Sequence, residues 1–299
     1  MKIIRSLLLL AVALVAMPAL ADTSINQTHA LAPDAHLSIS NVAGSVTIQT
    51  WDKHEVRLTG TLGRNSKLKL SGDENDLSIK IKNTQDGDSG WFGHDDMGPT
   101  TLKLMVPRSV NLSVDTVSAE ITATGLAGGK LDLNTVSGNL RVDADSPHVK
   151  ANSVSGDMQL SGHAASLDVN TVSGDVQVDK AGSQAMAQTV SGQVEMQGGP
   201  FHEVSVETVS GDIVLDGSMA SDVSAKLHSM SGDIRLSMSG SPQGSLNATS
   251  FSGDIRSAFG TVSEPEHGPG SSLHVKLGNG DGDITLNSFS GDIHIRKGD

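Results

Sequence analysis

The chain has no cysteine and no tyrosine, and aromatic residues make up 2% of its 299 positions, as two Trp and five Phe. Without cysteine there is no disulfide, no thiolate nucleophile and no thiol to carry a lipid anchor. With so few rings there is neither a core built on large aromatics nor a good platform for stacking sugars. Basic residues are outnumbered, 21 Lys and Arg against 34 Asp and Glu, for a formal net charge of -13. That balance disfavours nucleic acid and anionic lipid as partners and favours cations or basic surfaces. Beyond the N-terminus no apolar run is long enough to cross a bilayer. What is abundant is Gly, 33 residues, together with Ser, Asp, Val and Thr, a composition suited to short strands and tight turns.

The first 21 residues read as a signal peptide. Lys2 and Arg5 form a basic start, SLLLLAVALVAM is an apolar run of 12, and Ala19-Leu20-Ala21 supplies a small-residue cleavage pattern. Cleavage is expected before Asp22. Loss of Lys2 and Arg5 would take the charge from -13 to -15. The expectation is a periplasmic or secreted protein with no membrane span after cleavage.

One phrase recurs along the chain: NTVSGNL, NSVSGDM, NTVSGDV, ETVSGDI, HSMSGDI, TSFSGDI and NSFSGDI. Its glycines are Gly44, Gly138, Gly156, Gly174, Gly192, Gly211, Gly232, Gly253 and Gly291, with Ala119 in the same slot once. From Ala119 the spacings are 19, 18, 18, 18, 19, 21, 21 and 38 residues; the last is about two periods, so a coil lacking the phrase is expected there. Fixed offsets from the glycine carry fixed chemistry. Positions seven and five before it, and two and four after it, are apolar in nearly every copy, as in Leu167, Val169, Val176 and Val178; Ser257 is the polar exception. The residue between the last two columns is polar in nearly every copy, Val214 being the exception. This is period-2 alternation, one dry and one wet face per strand.

Each repeat is therefore strand, turn, strand and connection. A unit of 18–21 residues cannot bury its apolar face alone, but stacking on neighbours does so. The predicted fold is all-β: a parallel β-solenoid (β-helix) of about ten such coils, with an antiparallel sandwich as the competing arrangement. Residues 22–110 are expected to hold the first coil and a strand-rich cap with a polar loop over 84–99, which carries Trp91 and Phe92. Residues 111–299 are expected to form the repeat solenoid with an inserted loop over 259–272. Pro147, Pro200, Pro242, Pro265 and Pro269 are expected in connections. The phrase glycine is expected at positive φ, and the following Asp is expected to cap its own turn.

The ladder of TVSGD phrases, preceded by ISNVAGSVTIQTWDKHEVRLTG and LKLMVPRSVNLSVDTVSAEI, resembles the bacterial putative-adhesin family of β-strand-repeat domains of unknown function, over roughly Leu37 to Ile295. The resemblance implies a repeat β fold and export, and the family's name implies surface attachment.

No constellation for catalysis stands out. The phrase serines are explained by turn chemistry, the 11 histidines are scattered, and no cofactor is called for. The expected function is a non-catalytic envelope scaffold that offers a surface to an envelope protein or other surface. The alternatives are an enzyme acting on envelope polysaccharide or a calcium-binding repeat protein. Calcium prefers several oxygen ligands, and its weak candidates are Asp212, Asp233, Asp254, Asp281 and Asp283, the first three expected on adjacent coils. The Thr column (Thr116, Thr135, Thr171, Thr189, Thr208) reads as a hydrogen-bonded ladder at a corner. Two before the glycine stand Val42, Val117, Val136, Val154, Val172, Val190 and Val209, then Met230, Phe251 and Phe289. Strand parity points this apolar column outward, yet a turn readily breaks parity, so burial is the favoured expectation. Exposure would make Met230, Phe251 and Phe289 an interaction stripe, for a partner or for self-association.

Overall fold

The computed structural model describes residues 23–84, 97–265 and 269–298, and within them the chain is β-strand and turn with no helix. The expected signal peptide, Trp91 and Phe92 lie outside the described residues. The N-terminal strands are β1 (Thr23–Ala30), β2 (His36–Trp51), β3 (Glu55–Leu62), β4 (Ser66–Gly72), β5 (Asp76–Asn83), β6 (Thr100–Pro107) and β7 (Asn111–Ala127). The regular repeats supply β8 (Leu131–Asn134), β9 (Leu140–Asn152), β10 (Met158–Ser161), β11 (Ala164–Asn170), β12 (Val176–Thr189), β13 (Val194–Thr208) and β14 (Ile213–Ser229). The chain ends with β15 (Ile234–Ser239), β16 (Gly244–Ser250), β17 (Ile255–Ser257), β18 (Ser271–Leu277), β19 (Asp283–Ser288) and β20 (Ile293–Lys297).

Equivalent slots of successive repeats pair in parallel and in register. After the glycine, Val46, Ile121, Leu140, Met158, Val176, Val194, Ile213 and Ile234 follow one another as ladder partners. Before it, Leu37, Leu112, Leu131, Val149, Leu167, Ala185, Val204 and Ala225 do the same. Strand direction does not alternate between these repeats, so the sandwich arrangement is excluded. The two ladders face each other across a thin core. The columns at seven and five before the glycine and at two and four after it are buried throughout, Ser257 on the short β17 apart. Each fully buried Val, Leu or Ile contributes about 1.5–3 kcal/mol relative to exposure. Among the described residues Phe201 is the one aromatic in that core, since stacked coils leave room mainly for aliphatic side chains.

Several connections are not loops. Strands β9, β12, β13 and β14 run on from one ladder into the other, bending between sheets with register shifts in β12 and β13. Pro147 and Pro200 therefore lie within bent strands rather than in loops, a correction to the sequence expectation. The ladder slips past them: Ser146 and His148 are paired in β9, and the β13 register shifts between Gly198 and Phe201.

The C-terminal order also departs from expectation. Chain order would stack the Gly253 repeat on the Gly232 repeat, but the last repeat lies between them. β19 pairs with β14 on one side and β16 on the other, while β20 pairs with β15 and β17. Among its described residues the 38-residue gap holds no phrase-less parallel coil. It holds β18, which begins at Ser271 and runs antiparallel to β16 along its outer edge. The inserted order leaves that edge free for β18 to cover with a seven-pair ladder. The other end is closed in like manner: β4 pairs antiparallel with β5, and β3 and then β1 extend β6 antiparallel. Antiparallel closing strands, with Lys67 and Lys69 on the edge strand β4, blunt the end-to-end growth that a bare parallel edge invites.

Candidate functional site

The corner formed by each phrase is a hydrogen-bonded unit. Three residues before the glycine a buried Thr or Ser turns its hydroxyl oxygen to accept the glycine N–H, at 2.7–3.2 Å in the corners of Gly138, Gly156, Gly174, Gly192, Gly211, Gly232, Gly253 and Gly291. The hydroxyl proton is used as well: Ser229 donates to the Gly211 carbonyl, Ser250 to Gly291 and Ser288 to Gly232. Thr116 donates to Thr135 at 3.0 Å, among the described residues the one hydroxyl-to-hydroxyl rung of the expected Thr ladder. The serine before the glycine reaches the neighbouring repeat, Ser173 donating from both N–H and hydroxyl to the Val154 carbonyl. These serines are engaged with backbone, as turn chemistry requires.

The phrase glycines are not at positive φ, Gly44 excepted at 109°. They are glycine because of crowding. A Cβ at Gly138, Gly156, Gly174, Gly192, Gly211, Gly232, Gly253 or Gly291 would stand 1.9–2.2 Å from the carbonyl oxygen of the residue in the same slot next door. Ala119 stacks on Gly44, whose left-handed conformation makes a different neighbour.

The Asp that follows caps the adjacent repeat rather than its own turn, a second correction. Its Oδ1 accepts the N–H of the equivalent residue next door: Asp157 from Asp175, Asp175 from Gln193, Asp212 from Asp233, Asp233 from Asp292, and Asp292 from Asp254, all at 2.9–3.1 Å. Asn139 does the same for Asp157 with its amide oxygen. Because the last repeat is inserted, Asp292 separates Asp233 from Asp254. Of the calcium candidates, Asp212 and Asp233 share Arg235 at 3.2 and 2.8 Å, and Asp283 accepts from Ser245 and Asn247. Asp281 is exposed. Among the described residues no three His, Asp or Glu side chains come together as metal ligands.

The column two before the glycine is where the structure and the favoured expectation part. Strand parity is kept as far as this column, which faces outward; it switches just after it, where the following Ser is exposed as well and the Gly is buried. In stacking order Val136, Val154, Val172, Val190, Val209, Met230, Phe289 and Phe251 form a row whose members are 44–56% exposed. Val42 and Val117 at the other end are half-buried. The insertion puts Phe289 next to Phe251, and their rings stack with centroids 4.9 Å apart and planes 11° from parallel. The gap beside Val142, Leu160 and Val178 has a volume of about 10 Å³, room for no more than one water.

A model of the family described as Toastrack DUF4097 matches residues 35–296. No curated protein matches the chain. Among solved structures, a putative adhesin from Bacteroides fragilis is 11% identical over 93% of this chain and 98% of its own, with a TM-score of 0.39. A putative lipid binding protein from Parabacteroides distasonis is 13% identical over 92% and 96%, with a TM-score of 0.45. A putative adhesin from Parabacteroides merdae is 10% identical over 93% and 99%, with a TM-score of 0.41. None of these likenesses is close enough to carry a function.

Proposed function

Because the chain belongs to the Toastrack DUF4097 family, a domain of unknown function, we propose from its own geometry that it is an exported, non-catalytic envelope scaffold: a β-solenoid of about ten coils that presents one corner as a binding surface. The observation that carries this reading is the outward apolar column. Exposed positions of a strand are free to be polar, and the neighbouring outward columns of this chain are polar. This one is apolar in every repeat and ends in Met230, Phe289 and Phe251. A continuous apolar row of that kind on a surface marks an interaction site more often than chance exposure does.

The reading as a scaffold is supported by what the polar groups of the corner already do. The phrase Ser, Thr and Asp side chains are committed to backbone hydrogen bonds, which leaves no pair of them poised as nucleophile and base. Export is supported by the signal-like first 21 residues. The deciding experiment uses Phe251→Ser in the full-length chain. A binding corner keeps its melting temperature and loses association with envelope components. A lower melting temperature with unchanged association refutes it. Cell fractionation tests export: an uncleaved N-terminus held in the inner membrane would overturn that part.

A further inference from the structure

We propose that the corner takes a cationic amphipathic helix, laid along the stack with its apolar seam on the Val-Met-Phe row and its basic side chains over the neighbouring carboxylates. This deepens the reading of the corner as a binding surface and rests on it.

The charge of the corner selects the partner. Three residues beyond the apolar row runs a column that reads, in stacking order, Glu120, Asn139, Asp157, Asp175, Gln193, Asp212, Asp233, Asp292 and Asp254. That is seven carboxylates, against three arginines two residues further on, Arg141, Arg235 and Arg256. Arg235 holds Asp212 and Asp233. Among the described residues no basic side chain pairs with Asp157, Asp175, Asp292 or Asp254. One oxygen each of Asp157, Asp175 and Asp292 is pinned by a backbone N–H from next door, so these charges are fixed in a line, within about one Debye length of the apolar row. A second copy would bring the same excess of negative charge to the ridge. Anionic headgroups are repelled for the same reason.

The pitch of the row selects a helix. From Val136 to Phe251 there are seven steps of about 4.8 Å, or roughly 34 Å. The seam of an amphipathic helix advances about 5.2 Å per apolar layer, whereas an extended strand advances about 6.8 Å per residue on one face. Over seven steps the helix drifts by about 3 Å and the strand by about 14 Å. A helix of about 22 residues spans the row.

The test titrates a labelled 22-residue helical peptide with a Leu seam and Lys flanks into the full-length exported protein, by fluorescence anisotropy. Controls are the same peptide with Glu for Lys, and a Lys peptide of scrambled order. Two variants separate the contributions. Asp254→Asn with Asp292→Asn removes two charges, and Asn at 292 keeps the acceptor for the Asp254 N–H, as Asn139 already does naturally for Asp157. Phe251→Ser with Phe289→Ser removes the apolar end; should it not fold, Val154→Thr with Val172→Thr takes its place. Binding of the Lys peptide alone, weakened at least tenfold by each double variant and by raised salt, is the expected result. Equal binding to wild type and to the apolar variant, or equal binding of the Glu peptide, overturns the proposal. So does a dimer that the Phe variant dissociates, or binding to zwitterionic vesicles. Capture from envelope extracts distinguishes the two levels. If the Phe variant loses proteins that wild type captures while the Lys peptide fails to bind, the helix partner is wrong and the binding corner stands. If the captured set is unchanged by the Phe variant, the corner itself is refuted.

Discussion

At the scale of single residues the phrase is a packing device with separable parts. The glycine is required by an approach of about 2 Å between its missing Cβ and a neighbouring carbonyl, as at Gly174 against Gly156. Gly174→Ala must spread two repeats and is expected to destabilise the protein by about 1–3 kcal/mol, measurable by urea unfolding. Thr208→Val removes the acceptor of the Gly211 N–H at 2.9 Å and leaves that buried donor unpaired, at a cost of about 1–3 kcal/mol. The charge of the Asp is another matter. Asp175→Asn keeps an acceptor for Gln193 and is expected to stay within about 0.5 kcal/mol of wild type. If Asp175→Asn proved as damaging as Gly174→Ala, the account of the Asp as a neutral-tolerant cap would fail. Much of this was legible from residue type at fixed offset. Direction was not: a sequence shows that Asp follows Gly, but whether its oxygen turns back or across depends on which backbone lies 4.8 Å away.

At the scale of elements the main departure is the insertion of β19 and β20. Because all repeats share one register, the Gly253 repeat could pair with either the Gly232 or the Gly291 repeat. The inserted order is the one in which β18 closes the free edge of β16. The chain has no native cysteine, so engineered pairs report the order directly. Ser290 donates its N–H to Met230, and Ser252 donates to Phe289, which places Ser290 between Ser231 and Ser252. Ser231→Cys with Ser290→Cys should oxidise readily, at a strand spacing of about 4.8 Å. Ser231→Cys with Ser252→Cys, two spacings or about 9.6 Å apart, should not. The reverse result would restore simple sequential stacking.

At the scale of the whole molecule two features act together, closed ends and a net charge of -13. Antiparallel strands at both ends oppose fibrous growth, and like charge opposes contact between copies. Self-repulsion also weakens the folded state, so added salt should stabilise it. Raising NaCl from low to about 0.5 M is expected to lift the melting temperature by on the order of a few degrees. The same salt should weaken the corner's grip on a basic helix. A protein whose melting temperature fell with salt would not be governed by its own excess charge.

The sequence by itself determined the all-β class, the columns that form the core, the register of equivalent slots and the family. Each follows from period-2 alternation repeated at nearly constant spacing, a local pattern that needs no knowledge of distant contacts. Only the tertiary structure decided which repeat lies beside which at the C-terminus, that Asp caps across rather than within, and that the Val-Met-Phe column stays outside. The physical reason is common to all three. Near-identical repeats offer near-identical neighbours, so the choice among them turns on edges and corners, where strands 38 residues apart in the chain compete for one ladder and the turn itself either keeps or breaks parity.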